Sequence, residues 1–375
     1  MNANTNRLSN VSQLTAENIE GAFRERLAKT GLETCPIKGA ESHWDLVVKN
    51  SDFIPADDTR STLNSAEIRF NSLNEPYRNL STLFYQNKEP VALWSLCARQ
   101  KSTHWSLGSG LTEVRPPRFI RSIGKKVQKR VLSGCAEALG SLSQFMGLSE
   151  WNGVDSLIQG VDLWHRTLLE SGARVTVGYD LYVDLDLDLA EIKTRFRSSY
   201  KSLINKGMTL WKHEVLNSVS NDVFDEYHAF YNAIAGKTVH TDAAWMSERD
   251  AINAGDAFLV LIREHSNELA GAGFFITSPT EAYYAAGAYN RELFHLPLGH
   301  VVQMLAIENM KKRGLRWYRL GDRFYSGTPT DRHATAKETT IGEFKEGFAS
   351  HVIPRMHTRS RAAEGLDQPH AVLVP

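Results

Sequence analysis

A tyrosine, a histidine and an aspartate, Tyr289, His300 and Asp322, fall close together in the last third of the sequence, around a helix start marked by Pro297 and Gly299. An imidazole titrates near neutral pH, and a phenol or carboxylate within hydrogen-bond reach can also hand on a proton. The three are therefore candidates for proton transfer. The helix start adds a second kind of chemistry. Its first N–H groups have no partner in the helix and carry the positive end of the dipole, so an anion such as a phosphate can dock there. Pro297 and Gly299 keep bulky side chains out of the approach, and Gln303 lies one turn on.

These residues need elements to position them. Val301, Val302, Leu305, Ala306, Ile307 and Met310 recur near a 3.6-residue period, which predicts an amphipathic helix with one side in a core. Gly314 follows its cationic last turn as a left-handed cap, and Leu315 to Leu320 reads as a strand. Upstream, Ala257–Arg263, Ala270–Thr277 and Ala282–Tyr289 are apolar runs separated by polar breaks. Three strands, a helix and a further strand predict an α/β sheet whose helix crosses over after a meander.

The segments AGAGFFIT, AYYAAGAY, LPLGHVVQMLAIENMKKRGLRWYRLGD and GEFKEGFAS, preceded by YVDLDLDLAEIKTRFRSSYKSLINKG, resemble the C-terminal half of the FemAB-like branch of the GNAT acyltransferases. The resemblance runs from Val175 to Phe348 and implies paired GNAT-like folds of the α/β (α+β) class, each a mixed sheet flanked by helices. It also implies an enzyme in which an amine attacks an activated carbonyl directly, with alignment, oxyanion stabilisation and a proton acceptor supplied by the protein. No covalent nucleophile is required, consistent with the absence of a G-x-S-x-G elbow. In such enzymes a Phe-Lys pair holds the donor's acyl end, and Phe344–Lys345 matches it. The implied catalytic set is Lys345, Asp322, Tyr289 and His300. The implied substrate contacts are Phe344, Gly299, Gln303, Arg197, Lys201 and a cation at position 320.

The chain departs from the family in two places. Leu203 to Asp256 is too short for the charged helical hairpin carried by members that use aminoacyl-tRNA, and a Q/R-x-x-G-x-G/A phosphate loop is missing. The first departure favours acyl-CoA as co-substrate, with aminoacyl-tRNA as the alternative. The expected reaction is acyl transfer onto an amine of a sugar nucleotide or cell-envelope precursor. A non-catalytic binder of a phosphorylated glycan is the rival reading.

With 375 residues the chain exceeds what one core usually supports. Units at 1–174 and 175–349 followed by a tail at 350–375 are expected, with frayed ends at Met1–Thr15 and Arg361–Pro375. Forty-three basic residues balance 43 acidic ones, so there is no net field to attract DNA, and any contact with tRNA must be local. Cys35, Cys97 and Cys135 have neither disulfide nor zinc spacing. No secretory leader or membrane-spanning run is read, so a cytoplasmic protein is expected.

Two basic stretches stand out. Arg115, Arg118, Arg121, Lys125, Lys126, Lys129 and Arg130 occur without an intervening acid and would attract phosphate, an anionic membrane surface or an RNA backbone. Lys193, Arg195, Arg197, Lys201 and Lys206 read as a basic helix able to clamp a diphosphate. Asp184, Asp186 and Asp188 share a strand face, yet no calcium-loop pattern accompanies them, and no metal is expected. Asp188 reads instead as a helix N-cap with Glu191 as its partner. In the first half, Pro90–Ala98 and His104–Leu107 predict strands, and Val131–Met146 and Leu157–Glu170 predict helices.

Overall fold

The computed structural model describes residues 14–327 and 334–362. The expected fraying of Met1–Thr15 and Arg361–Pro375 lies mostly outside these residues, although Thr15 caps a helix over Ala16–Lys29 by accepting from Asn18 N–H. The first half builds two small sheets. One orders β1 (Glu33–Pro36), β3 (Thr82–Gln86), β4 (Glu89–Trp94) and β7 (Arg118–Phe119), and the other β2 (Tyr77–Asn79), β5 (Cys97–Lys101) and β6 (His104–Gly108). The helix Lys125–Phe145 covers them, burying Val131, Leu132, Cys135, Leu139 and Leu142 at helical spacing.

An eight-stranded sheet runs in the order β10 (Lys212–Leu216), β11 (Ala257–Arg263), β12 (Leu269–Thr277), β13 (Glu281–Tyr289), β14 (Trp317–Asp322), β9 (Arg174–Asp184), β15 (His351–Arg361) and β8 (Glu150–Ser156). The α/β class, the antiparallel β11–β12–β13 meander and the crossover helix Leu298–Lys312 match the sequence reading. Gly314, with φ of 73°, takes the left-handed conformation beyond that helix. Ten of the helix's side chains are buried, and the apolar ones, among them Val301, Val302, Ala306, Ile307 and Met310, form the core with β11–β14.

Four expectations fail here. His351–Arg361 is no tail: as β15 it pairs with β9 on one side and β8 on the other. The sheet thereby also takes in β8 from before residue 174. Pro90–Ala98 is two strands, broken where Ser95 turns its hydroxyl to Asp58 at 2.9 Å. Leu157–Glu170 is not one helix: a 3₁₀ turn over Leu157–Gln159 is followed by an α-helix only from Leu163, where Asp162 and His165 form a capping box. The basic helix after β9 is two helices, Leu189–Arg195 and Ser198–Leu210, because Phe196 leaves helical backbone to pack edge-on against Phe348.

The segment between Phe53 and Ser61 joins the two halves. Ile54 N–H donates to Thr280 Oγ1 at 2.8 Å, Ala56 N–H donates to Glu281 Oε2 at 2.8 Å, and Ser61 reaches Asp256 at 2.5 Å. Asp57 accepts from Arg115 of the first half and from Arg319 on β14. Burial alone would raise the Asp57 pKa, but the two guanidiniums outweigh it and hold the carboxylate below its usual range.

A lowered folded pKa means that this ion pair stabilises the protein above the unfolded carboxylate value of about 4 and is lost as pH falls through the folded one. Asp57→Asn removes a buried partner from two guanidiniums and is expected to cost about 3–5 kcal/mol in urea unfolding at pH 7. The variant should also lose part of the acid-induced fall in stability. An unchanged urea midpoint and acid profile would refute the bridge.

Candidate active site

A cavity of about 910 Å³ opens between the halves, walled by Phe53, Pro55 and Arg115 on one side and by β8, β9, β14 and β15 on the other. Period-two alternation explains which side chains enter it. Asp180 on β9 and Arg355 and His357 on β15 lie on one sheet face, and Asp322 ends β14 opposite Asp180. Arg355 donates to Asp180 at 3.0 Å and also to Asp322. Its Nε donates to His357 Nε2 at 3.1 Å, which puts the proton of a neutral His357 on Nδ1. Burial, then Arg355, pushes the His357 pKa down, so the ring is neutral at pH 7.

Deeper in the cavity, Arg319 bridges Asp57 and Glu281 and lies 4.0 Å from the centre of the Tyr283 ring. Tyr182 donates to Glu281 at 2.9 Å. Tyr179 and Tyr325 meet edge-on at 5.3 Å and form an aromatic wall. The buried guanidiniums are thus already spent on carboxylates, while aromatic and hydroxyl groups line the space.

A second feature lies across β14. Its parallel pairing with β13 lasts three residues, Glu281–Tyr283 against Trp317–Arg319, after which the strands part. The resulting wedge holds Tyr284 and Tyr289, whose hydroxyls are 2.7 Å apart. At the mouth of the wedge Gly299 faces Phe344, a Cβ there approaching the ring to 3.0 Å. His300 is flanked by Tyr200 at 4.5 Å and Phe344 at 5.2 Å.

Lys345 stands between wedge and cavity. Its Nζ lies 5.4 Å from the Tyr284 ring centre on one side and senses the charges of Asp322 and Asp180 on the other. Burial lowers its pKa and the two carboxylates oppose the shift. Gly321 makes room for it: φ is 109°, and a Cβ would come within 3.0 Å of Nζ.

The sequence-predicted residues therefore divide. Asp322 lines the cavity, Lys345 is at the junction, and Gly299, His300, Phe344 and Tyr289 belong to the wedge. Gln303 is fully buried and accepts from Tyr318, so it packs behind the wedge. Arg197 donates to Glu343 O at 2.8 Å and covers the Tyr200 ring at 5.2 Å, while Lys201 is exposed on the outer helix. Neither lines the cavity. The cation expected at position 320 is absent: that residue is the core side chain Leu320, and the guanidinium belongs to Arg319. The five-residue diphosphate clamp does not assemble, because its helix is broken and Lys193 and Arg195 pair with Glu308 and Glu191.

Asp188 accepts from Glu191 N–H at 2.7 Å as the expected N-cap, while Glu191 itself turns to Arg195. Among the described residues, Asp155, Asp162 and His165 come close enough to share a cation, but Arg118 holds Asp155 at 2.9 Å and Asp162 holds His165 at 2.7 Å.

Desolvation, then Arg197, lowers the His300 pKa to about 4. In two-dimensional NMR the His300 ring signals are expected to stay flat from pH 8 to pH 5 and to move only below it. A midpoint near 6.5 would contradict the burial of this ring.

No family model matches the chain. Over 94 residues, 25% of the chain and 21% of the relative, it is 34% identical to aminoacyltransferase FemA of Staphylococcus epidermidis. The chain thus spans about a fifth of the length of the curated relatives it matches. Among solved structures, FemX superposes with a TM-score of 0.64 at 10% identity, covering 86% of this chain and 96% of FemX. A conserved protein of unknown function from Bacteroides thetaiotaomicron gives 0.55 at 9% identity, over 88% and 99%. L-PGS from Bacillus licheniformis gives 0.51 at 12% identity, over 82% and 93%. With its wedge between parallel strands, its crossover helix and its superposition on nearly the whole of FemX, the chain shares the FemX fold.

Proposed function

We propose that this protein is an acyl- or aminoacyltransferase in which an amine bound in the cavity attacks an acyl group presented from the wedge. The observation that carries this reading is Lys345, seated between the cavity and the aromatic wedge beside Gly321, whose positive φ favours a glycine. The amine nitrogen forms the new bond to the carbonyl carbon, and the bond from that carbon to the donor's sulfur or oxygen breaks. Lys345 faces the negative oxygen that develops, in a site where water is largely excluded. Asp322 is ionised, since Arg355 and Lys345 outweigh the effect of its burial. A carboxylate so stabilised is a weak base, yet the nitrogen becomes strongly acidic once attack has begun, so a weak base suffices.

Acyl-CoA is the first donor reading, and the acceptor is an amine of a sugar nucleotide or cell-envelope precursor. The Tyr179–Tyr325 wall and the hydroxyl-rich lining support a glycan-bearing acceptor. Aminoacyl-tRNA is the second reading, favoured by the FemA-like stretch. RNase treatment of a lysate abolishes transfer under the second reading and leaves it intact under the first.

Lys345→Ala is expected to lower kcat about 10²–10³-fold, the usual consequence of losing one oxyanion-stabilising group. Asp322→Ala should lower it as well, with circular dichroism unchanged for both variants. Full turnover in both would reject the assignment, and sugar-nucleotide binding with no product by mass spectrometry would favour a glycan binder.

A further inference from the structure

The seven basic residues between Arg115 and Arg130 come apart in three dimensions. Arg115 and Arg118 are buried in ion pairs with Asp57, Asp58 and Asp155. Lys125, Lys126, Lys129 and Arg130 are exposed on the first turn and a half of the Lys125–Phe145 helix. Among the described residues none of these four has an ion pair or side-chain hydrogen bond. Arg121, just before them, is also exposed, though tied to Asp52 at 2.8 Å. Its backbone N–H donates to Asn50 O at 2.9 Å, which brings the exposed Lys49 to the same edge.

This arrangement costs the helix stability. Cations crowd the positive end of the dipole, 125/129 and 126/130 are like charges at i,i+4, and the first turn has no acid and no side-chain cap. The nearest acid along the helix is Glu137, about two turns further on. A charge pattern that works against its own helix is relieved by an external anionic surface.

We infer that this edge, carried by Lys125, Lys126, Lys129 and Arg130 with Lys49 and Arg121 beside them, docks the protein on an anionic lipid bilayer. Lysine predominates among the unpaired cations, and its compact charge suits a diffuse negative surface. Nucleic-acid phosphates are more often met by the forked guanidinium together with aromatic stacking. The half-buried apolar side chains nearby, Phe119, Ile120, Ile123 and Val127, pack inward on the core of the first half and present no stacking platform. The contact is a surface one: exposed Leu46, one turn before Lys49, is the only large apolar side chain of the Glu41–Asn50 helix that faces water. Among the described residues no helix is long and apolar enough to cross a membrane. The inference does not depend on the proposed chemistry.

The test is co-sedimentation of the full chain with phosphatidylcholine vesicles, with and without phosphatidylglycerol. Binding is expected only to the anionic vesicles and should fall as ionic strength rises. Each cation near such a surface contributes a factor of several, so Lys126→Glu with Lys129→Glu should weaken binding at least about 30-fold. The same double variant places acids where the dipole favours them, so its thermal midpoint should not drop. That separates lost docking from lost folding. Equal binding of wild type and variant, binding to neutral vesicles, or patch-dependent binding of an RNA duplex without vesicle binding would each overturn the inference.

Discussion

One carboxylate shared by two guanidiniums holds the architecture of the site. Asp57 sits on a short segment of the first half, and its partners come from opposite sides: Arg115 before the long basic helix and Arg319 on β14. Around it, the backbone N–H groups of Ile54 and Ala56 dock on Thr280 and Glu281 at the start of β13. A buried charge with one partner is costly, and with two it is locked. The inner wall of the cavity follows from that lock, because Phe53 and Pro55 flank it and Arg115 is aimed by it. Glu281 is the complementary case. Burial raises its pKa, Arg319 opposes the shift, and the Ala56 N–H and the Tyr182 hydroxyl complete its shell.

Where the lock fixes the halves, the parting of β13 from β14 creates two environments on either side of one strand. The cavity side is charged and paired, with Asp180, Asp322 and Arg355. The wedge side is aromatic, with Tyr200, Tyr284, Tyr289 and Phe344. A lysine at the boundary is penalised by burial and drawn toward the carboxylates, and Gly321 with its positive φ is what lets it stand there. Its position is therefore set by backbone conformation as much as by charge.

Much of this could be read from the letters. The 298–312 helix, the meander and the Gly314 cap follow from period and punctuation, and Phe344–Lys345 stood out by resemblance. What stayed hidden was non-local. Arg355 and His357 belong to a run, VIPRMHTRSR, whose alternation of charge with small or apolar residues resembles a solvated tail, although the strand is interior to its sheet. Its charged face is half-buried because it lines the cavity, and no local pattern reports that. Arg115 and Arg118 read as surface charge because their carboxylate partners are distant in sequence. The break at Phe196 is equally invisible, since it is contact with the distant Gly347–Phe348 pair that favours leaving the helix there.

The position of β15 bears on how the protein comes into being. β8 and β9 are near neighbours along the chain, yet they do not pair with each other, because the strand between them is made some 170 residues after β9 ends, at His351–Arg361. As the ribosome releases the chain from its amino end, these two strands emerge early with unpaired edges facing a gap. Such edges are prone to wrong pairings until they are covered. The floor of the cavity thus cannot exist until His351–Arg361 has been made. The strand that completes the sheet also completes the binding space.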